Sequence, residues 1–310
     1  MPESEVLCVG EVLWDALPEG LFLGGAPFNV ACHLRAAGTP VSMVSRVGDD
    51  RLGDEVLRRA ARYGVRVDLI QVDPALPTGF VRVVVNEAGE PTYDIPAPSA
   101  WDEIAPTPAL LARAATARAI VFGTLAQRHA SSRRTIERLW ESKALMVLDL
   151  NLRPPYDDRE IVARSLHRAD VVKLSENELA HIAEWFGLSG STRDMVTGLV
   201  KTFACPVVCV TRGSAGAALW REGRWSEQPG YAVEVRDTVG AGDAFLAVLL
   251  SGLLAGSGGA VDDETLLQHA NLIGAYVATQ FGALPSDQRV ATPPVAEDAP
   301  VRARRRPRKR

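Results

Sequence analysis

Two sequence motifs on which many nucleotide-binding enzymes depend are missing from this chain of 310 residues. The dipeptide Gly-Lys occurs nowhere, which excludes the phosphate-binding loop Gly-x-x-x-x-Gly-Lys-Ser/Thr and the enzymes that carry it. The first predicted strand is followed by GEVLWDALPEG and not by the Gly-x-Gly-x-x-Gly fingerprint of dinucleotide-binding domains. A nicotinamide-dependent dehydrogenase is therefore a poor fit to the sequence.

Cysteine and long apolar runs are scarce as well. The four cysteines (Cys8, Cys32, Cys205 and Cys209) form no Cys-x-x-Cys pair, so we expect buried free thiols in a reducing cytoplasm and no zinc or redox centre. No run approaches the ~20 apolar residues of a membrane-spanning helix, and the N-terminus lacks the basic region of a signal peptide. A cytoplasmic protein without a membrane partner is the expectation.

Positive charge is concentrated at one end of the chain. Residues 301–310, VRARRRPRKR, hold seven of the 34 lysines and arginines, although the whole chain has a formal net charge of −4. Because the remainder is acidic, a nucleic-acid partner is not expected. Proline, alanine and arginine dominate from about residue 290 onward, which predicts a disordered, solvated tail over 291–310.

Short runs of valine, isoleucine and leucine alternate with stretches of helical periodicity through most of the chain. AIVFGTL, ALMVLDLN, DVVKLS and PVVCVTRG have the continuous apolar character of parallel strands that are covered on both faces. Their alternation with helices predicts a doubly wound α/β fold. Apolar residues in the segment 79–95 instead alternate with other residues around the turn signal NEAGE, which predicts a β-hairpin added to the domain.

Several polar residues and a glycine lie near the ends of these predicted strands. They are Asp15, Asn151, Arg153, Lys173, Thr211 and Gly213. Ligands of open α/β sheets bind at the carboxyl ends of the strands. The pattern therefore predicts a binding site at that edge of the sheet, but it identifies no reaction.

The segment DTVGAGDAF, residues 237–245, places a charged residue at the start of an apolar helix predicted over about 241–255. Gly240 and Gly242 allow a tight turn and keep side chains away from the backbone amides. The N-terminus of a helix has amides without intrahelical partners and binds anions. Asp243 could accept a proton beside such an anion, or it could only stabilise the helix start, as acidic residues commonly do.

DTVGAGDAF resembles the C-terminal signature of the ribokinase/PfkB family of carbohydrate kinases, and GGAPFNVACHLRAAG resembles the glycine-rich segment near the N-terminus of that family. GEVLWDALPEG, LGGAPFNVA, DLNLRPP and KLSENEL are similar to its fructokinase-like branch. The resemblance extends over about residues 5–290. It implies a ribokinase-like fold: a doubly wound, mostly parallel sheet with helices on both faces, and a small β-sheet that forms a lid over the sugar.

The resemblance also implies a domain organisation and an activity. Residues 1–290 would form one kinase domain, with lid strands at about 12–25 and 79–97 that mediate homodimer formation in several relatives. The implied activity is transfer of the γ-phosphate of ATP to a primary hydroxyl of D-fructose. A kinase of the same fold for 2-keto-3-deoxygluconate, ribose or a nucleoside remains open. A non-catalytic binding protein is disfavoured, since it predicts loss of Asp243 or of the glycines around it.

Individual site roles follow from the family's motifs. By resemblance, Asp243 is the general base, and the anion hole is formed by the amides of Gly240, Ala241 and Gly242. The implied sugar-binding residues are Asp15, Gly24, Gly25, Asn29, Asn151 and Arg153. The implied ATP-binding residues are Lys173, Ser175, Thr211, Gly213, Gly240, Gly242 and Asn271. Simpler roles stay open: a solvated loop acid for Asp15, a helix N-cap for Asn29, a surface salt bridge for Arg153 and a polar surface position for Asn271.

Magnesium and a monovalent cation, usually potassium, are the metal ions that the resemblance implies. Glu178 would act on magnesium through water, with Ser175 in place of the asparagine of the family's Asn-x-x-Glu motif. The implied potassium site consists of Asp237, the Val239 carbonyl and main-chain groups near Val277, Gly282 and Ser286. Carboxylate and carbonyl oxygens suit a hard cation, although Asp237 could instead only brace its loop. Trp14, Phe28 and Trp101 could pack on a sugar face, but large aromatic residues more often belong to a core.

Overall fold

The computed structural model describes residues 5–17, 20–85, 91–255 and 261–284. Ser286 and the basic tail over 291–310 lie outside the described residues. The strands are β1 (Val6–Val9), β2 (Leu13–Leu17), β3 (Gly20–Gly24), β4 (Val41–Gly48), β5 (Ile70–Asp73), β6 (Gly79–Val85), β7 (Pro91–Asp94), β8 (Ala119–Gly123), β9 (Leu145–Asp149), β10 (Val171–Ser175), β11 (Val207–Thr211), β12 (Ala217–Arg221) and β13 (Arg224–Gln228).

The helices flank these strands or connect them. They are α1 (Ala26–Ala36), α2 (Arg51–Arg62), α3 (Pro108–Ala114), α4 (Ala130–Leu139), α5 (Arg159–Arg168), α6 (Glu176–Phe186), α7 (Thr192–Phe203), α8 (Ala241–Leu254) and α9 (Asp263–Ala278). The apolar helix expected over about 241–255 corresponds to α8. Within the described ranges, no helix combines the length and the apolarity that crossing a membrane requires.

Nine strands form one large sheet in the order β13-β12-β11-β10-β9-β8-β1-β4-β5. The seven strands from β11 to β5 pair in parallel, whereas β12 and β13 extend the sheet in antiparallel pairing. The expected mostly parallel, doubly wound sheet is thus confirmed. Strand β1 lies between β4 and β8. The chain adds β4 on one side of β1 and later β8 on the other side, so the direction of strand order reverses and the topological switch point lies beside β1. Ligands of α/β sheets bind at such points.

Successive residues of the central strands fill two apolar cores, one on each face of the large sheet. Leu7 and Val9 of β1 belong to one core and Val6 and Cys8 to the other, because side chains of a strand alternate between its faces. The core that contains Val6 and Cys8 also takes in apolar residues of α1, α8 and α9. The continuous apolar runs of the sequence therefore mark strands that are buried on both faces. All four cysteines are buried free thiols.

The other four strands form a separate small sheet in the order β3-β2-β6-β7. Two antiparallel hairpins, β2 with β3 and β6 with β7, are joined by a parallel pairing of β2 with β6. The strand segments expected at about 12–25 and 79–97 correspond to these two hairpins. Trp14, Phe28 and Trp101 are almost fully buried in the two cores, so they offer no face to a ligand.

A buried ion pair holds the segment that follows β7 against the main domain. The guanidinium of Arg128 donates to both carboxylate oxygens of Asp102 at 2.8 Å, and it also donates to the carbonyls of Ile95 (3.0 Å) and Pro96 (2.8 Å). Both side chains of the pair are almost fully buried, and the guanidinium stacks 4.0 Å from the ring centroid of Trp101. The pair therefore fixes the base of the small sheet.

Replacing Arg128 by methionine is expected to lower the free energy of unfolding by about 3–5 kcal/mol, because Asp102 would remain buried without its cation. Urea denaturation followed by circular dichroism measures the change. Arg134→Met, at an exposed position on α4, is the control and should stay within about 0.5 kcal/mol of the wild type. Equal urea midpoints for the wild type and Arg128→Met would show that the pair does not stabilise the fold.

Candidate active site

The N-terminus of the apolar helix α8 lies next to the edge of the large sheet, where Lys173 of β10 contacts Gly242. Gly240, the N-cap residue, has φ = 78°, and a Cβ atom there would lie 2.5 Å from the Cα of Ala283. Only glycine satisfies both conditions without strain. The amide of Ala241 donates to the Thr238 carbonyl at 3.3 Å, so the free donors of the first turn are the amides of Gly242 and Asp243. Free amides at a helix N-terminus favour an anion, but the amide of Ala241, which was expected to contribute to the anion hole, is engaged.

The carboxylate of Asp243 is held by a residue from the other end of the chain. Asn29 Nδ2 donates to Asp243 Oδ2 at 2.8 Å, and both side chains are buried, with 9% of Asp243 exposed. Asn29 lies inside α1, whose N-cap is Gly25, so the simpler role of Asn29 as an N-cap is wrong. Asn29 thus orients the carboxylate of Asp243. The neighbouring Oδ1 atom of Asn29 is buried and accepts no hydrogen bond from the described residues.

Gly24 allows the carboxylate of Asp15 to approach the backbone closely, next to Asn29. A Cβ atom on Gly24 would lie 2.7 Å from Asp15 Oδ2 and 4.0 Å from Asn29 Oδ1, so any larger residue would fill the space that these oxygens border. Burial raises the pKa of Asp15 to about 6, while the guanidinium of Arg153 opposes the shift and Asp237 adds to it. The arrangement presents oxygen acceptors to whatever enters, as a ligand rich in hydroxyl groups requires.

Asn151 and Arg153 follow β9 on the loop at the same edge. Asn151 has φ = 42°, a left-handed conformation that asparagine adopts more readily than most residues. Arg153 is exposed and donates to its neighbour's carbonyl, that of Leu152, at 3.1 Å. No described carboxylate lies within ion-pair distance of Arg153, so the structure does not support the surface salt bridge considered from the sequence. The positive charge of Arg153 nevertheless acts to lower the pKa of the Glu11 and Asp15 carboxyls.

A third carboxylate, that of Glu11, belongs to this group although the sequence motifs did not indicate it. Glu11 follows β1, is 3% exposed, and has an Oε2 atom without a partner among the described residues. Burial raises its pKa to about 7; the cation of Arg153 opposes this shift and the anion of Asp243 reinforces it. The only signal in the sequence was a charged residue directly after a buried strand.

Lys173 and Asp149 form a buried ion pair behind the first turn of α8. Lys173 Nζ lies 3.0 Å from Asp149 Oδ1, and the ammonium is 2.9 Å from the point that a Cβ atom on Gly242 would occupy. Burial lowers the pKa of Lys173, but the carboxylates of Asp149, Asp243 and Glu178 outweigh it and hold the pKa above its usual value. The lysine therefore adds a full positive charge to the anion site. Asp149, which the sequence motifs did not indicate, keeps Oδ2 unpaired.

A cavity of about 550 Å³ opens on the other side of the first turn of α8. The ends of β10 and β11, the segment 230–235 and the facing surfaces of α8 and α9 line it. The residues expected to bind ATP that line this cavity are Ser175, Thr211, Gly213, Gly242 and Asn271. The other two, Lys173 and Gly240, adjoin it at the first turn of α8.

Asn271 supports one wall of this cavity. Its Nδ2 atom donates to the carbonyls of Gln228 (3.3 Å) and Pro229 (3.2 Å), at the end of β13. The side chain is buried, so the simpler role of a polar surface position is wrong. Asn271 therefore fixes the loop that closes the cavity on one side.

Both carboxylate oxygens of Glu178 accept hydrogen bonds from the protein. Its Oε2 atom accepts from the amide (2.7 Å) and hydroxyl (2.8 Å) of Ser175, and its Oε1 atom accepts from the amide of Leu152 at 2.7 Å. Ser175 in turn caps α6. These contacts do not favour direct ligation of a metal by Glu178. Among the described residues, no group of three or more His, Cys, Asp and Glu side chains is arranged to hold a metal ion.

Asp237 joins the loop before α8 to the segment after α9. Its carboxylate accepts from the amides of Val239 (3.0 Å) and Gly282 (2.9 Å), which corresponds to the bracing role considered from the sequence. The carbonyl of Val277 accepts from the amide of Gln280 at 2.9 Å. The residues of the implied monovalent-cation site that are described thus lie together, and the occupancy of that site by potassium stays a prediction.

Known proteins resemble this chain over most of its length. Residues 19–289 match the model of a family described as pfkB family carbohydrate kinase. A fructokinase of Klebsiella pneumoniae is 33% identical over 303 residues, and a fructokinase of Escherichia coli is 30% identical over 312 residues. Each alignment covers 91% of this chain and 95% of the relative.

Solved structures resemble the chain over a similar length. A sugar kinase from Pyrococcus horikoshii in complex with ATP is 26% identical with a TM-score of 0.77, and the match covers 90% of this chain and 93% of that one. A fructokinase from Vibrio cholerae O395 in a form bound to fructose, ADP and calcium is also 26% identical, with a TM-score of 0.76 and coverage of 90% and 94%. These likenesses confirm the ribokinase-like fold.

The raised pKa of Asp15 predicts how stability depends on pH. The folded state keeps the proton up to a pKa of about 6, whereas the unfolded chain releases it near the ordinary aspartate pKa of 3.8, so this residue lowers the free energy of unfolding as pH rises through that window. Asp15→Asn removes the effect. The melting temperature of Asp15→Asn, relative to the wild type, is therefore expected to increase between pH 4 and pH 7.

Asp50 provides a control of the opposite sign. Amides of Thr78 and Gly53 and the hydroxyl of Thr78 lower its pKa against the effect of burial, so Asp50 stabilises the fold above its unfolded pKa and loses that effect in acid. The melting temperature of Asp50→Asn, relative to that of the wild type, should therefore fall as pH rises. A relative melting temperature of Asp15→Asn that is flat or falling with pH would contradict the assignment.

Proposed function

We propose that this chain, which belongs to the pfkB family of carbohydrate kinases, transfers the γ-phosphate of ATP to a primary hydroxyl of D-fructose. Family membership establishes a sugar phosphotransferase; the choice of ATP and fructose is the proposal. Fructokinases of two bacteria at 33% and 30% identity over most of the chain support that choice. So do solved relatives that contain ATP, or fructose with ADP.

The position of Asp243 is the observation that carries the proposal. Its carboxylate stands in the first turn of α8, between an acceptor-lined pocket at Gly24 and the cavity of about 550 Å³. The pocket suits a polyhydroxylated ligand, whose hydroxyls need acceptors. The cavity has the size of a small-molecule site, and the orphan amides and Lys173 lie at its edge, where an anion would be stabilised. Sugar and phosphate would therefore meet at Asp243.

The proposed reaction is a single displacement at phosphorus. Asp243 accepts the proton of the attacking hydroxyl, while the Asn29 amide holds Oδ2 and so orients the carboxylate. A bond forms between the hydroxyl oxygen and the γ-phosphorus, and the bond from that phosphorus to the β–γ bridging oxygen breaks to release ADP. The amides of Gly242 and Asp243 and the ammonium of Lys173 stabilise the charge on the transferred group.

A divalent cation, which we propose to be magnesium, would neutralise charge on the phosphates in this reaction. Asp149 Oδ2 is the unpaired carboxylate oxygen behind the first turn of α8, whereas both oxygens of Glu178 are engaged. Glu178 would therefore act through water, as is usual for a cation that keeps several waters. Asp237 and the carbonyls beside it are the residues proposed to hold potassium.

We further infer that residues 1–290 act as one kinase domain, with the small sheet as a lid over the sugar. Closure of such a lid excludes water that would otherwise consume ATP without product. Association of two copies through the small sheet is proposed from the family resemblance. The tail over 291–310 is proposed to take no part in catalysis.

Another substrate on the same fold is the second candidate function. Ribose, 2-keto-3-deoxygluconate or a nucleoside would donate hydrogen bonds to Asp15, Asn29 and Asp243 just as fructose would. These acceptors recognise hydroxyl groups and do not discriminate by ring size. The identity to named fructokinases favours fructose over these alternatives.

A panel of sugars tests the substrate. We expect D-fructose to give the highest kcat/KM among fructose, ribose, 2-keto-3-deoxygluconate and adenosine in an assay of ADP release, because fructokinases of two bacteria are 33% and 30% identical to the chain. A reaction without sugar measures the background hydrolysis of ATP. Fructose turnover no higher than that background would exclude fructose as the substrate.

Asp243→Asn tests the mechanism. Loss of the general base should lower kcat by about 10²–10⁴-fold while sugar binding, measured by calorimetry, survives. Asp263→Asn is a matched control, since Asp263 is also a buried acid in the first turn of a helix, where it pairs with Arg221. Its kcat should stay near that of the wild type. Equal kcat for Asp243→Asn and the wild type would exclude Asp243 as the base.

A further inference from the structure

Two equally buried glutamates flank β1, and only one of them is fully paired. Glu5 and Glu11 are each 3% exposed. The carboxylate of Glu5 accepts from Ser42 (2.7 Å), Arg66 (3.1 Å) and Arg113 (2.6 Å). Glu11 lies at the other end of the same strand, and its Oε2 atom has no partner among the described residues. A buried carboxylate oxygen without a donor is costly, and a hydroxyl group of a bound ligand would supply that donor.

The surroundings of Glu11 place it in the proposed sugar site. The backbone amides of Glu11 itself and of Ala26, the first residue of α1, oppose the effect of burial and lower the pKa of this carboxylate. The cation of Arg153 and the anion of Asp243 act on the same carboxylate. The main-chain carbonyl of Glu11 packs against the Cα side of Gly25. The unpaired oxygen therefore lies close to the proposed general base, at the switch point of the sheet.

We propose that Glu11 is a further sugar-binding residue, which uses Oε2 to accept a hydrogen bond from a sugar hydroxyl other than the one that reacts. The inference rests on the proposed function. The terminal torsion of a glutamate side chain is soft, so Oε2 can turn toward a hydroxyl at little cost. A hydroxyl donor also favours the charged carboxylate, which burial in the unliganded site disfavours.

This role differs from a purely structural one in a measurable way. If Glu11 only capped α1, neutralising it would weaken the helix start and lower stability. If Glu11 is a ligand for the sugar, neutralising it removes a buried charge that the unliganded fold does not compensate, so stability should hold or rise while sugar binding is lost.

Glu11→Gln tests the proposal against Glu5→Gln. We expect Glu11→Gln to raise the KM for the sugar by about 10- to 100-fold, the loss of a hydrogen bond to a charged group. The KM for ATP should change less than about twofold, and the melting temperature at pH 8 should equal or exceed that of the wild type. Glu5→Gln should show the reverse: a lower melting temperature and an unchanged KM for the sugar. An unchanged sugar KM in Glu11→Gln overturns the proposal.

Monodeoxy analogues of the sugar identify the contact. In the wild type, the analogue that lacks the hydroxyl bound by Glu11 should lose kcat/KM by a factor similar to that of the Glu11→Gln substitution. In Glu11→Gln the same analogue should lose little more, whereas the other analogues should lose equally in both proteins. Equal losses for every analogue in both proteins overturn the proposal.

The two proposals fail in different ways. The Glu11 comparison uses whichever sugar of the panel the wild type phosphorylates best. Turnover of ribose but not fructose contradicts the proposed substrate and leaves the prediction for Glu11 in force on ribose. Fructose turnover with an unchanged KM in Glu11→Gln contradicts the role of Glu11 and leaves the proposed function in force.

Discussion

The hydrogen bond from Asn29 to Asp243 joins two residues that are 214 positions apart in the chain, and the rest of the candidate site is arranged around it. Asn29 is on α1 and Asp243 is in the first turn of α8. Both helices pack on the same face of the large sheet and share an apolar core with the inner residues of β1. The geometry of the candidate site therefore depends on burial of apolar surface away from the polar atoms of Asn29 and Asp243.

Several close approaches of the backbone make this geometry possible. Gly240 brings the loop before α8 against Ala283, and Gly242 leaves room for the ammonium of Lys173. Asp237 ties the same loop to Gly282, beyond α9. The first turn of α8 is thus held from three sides, by the sheet, by α1 and by the segment after α9. A rigid anion site costs little reorganisation when charge develops on the transferred group.

The sequence was sufficient for most of the fold and for the glycine-rich segments. Continuous apolar runs predicted strands buried on both faces, and helix boundaries such as that of α8 fell within a few residues of the structure. The same sequence did not predict the parallel pairing of β2 with β6, because that pairing brings together two hairpins that are distant in the chain. Long-range strand pairing leaves no local pattern of periodicity.

Glu11, Asp149 and the engaged amide of Ala241 were also not predicted. Each depends on which partners tertiary packing supplies: an unpaired oxygen, a buried lysine or the carbonyl of Thr238. A residue type in a sequence does not reveal whether its hydrogen-bonding capacity is satisfied. Conversely, Gly24 lies where its motif placed it, next to Asp15 and Asn29, since the close approach that a missing side chain allows is a property of the residue type itself. Its role in sugar binding stays a prediction.

Negative charge predominates around the first turn of α8. Carboxylates of Glu11, Asp15, Asp149, Glu178 and Asp243 face the cations of Lys173 and Arg153 there. The free amides and the ammonium of Lys173 attract a polyphosphate to this turn, while the surrounding carboxylates oppose it. The local field therefore favours an anion that carries a bound cation, which lowers its net charge, over the same anion alone.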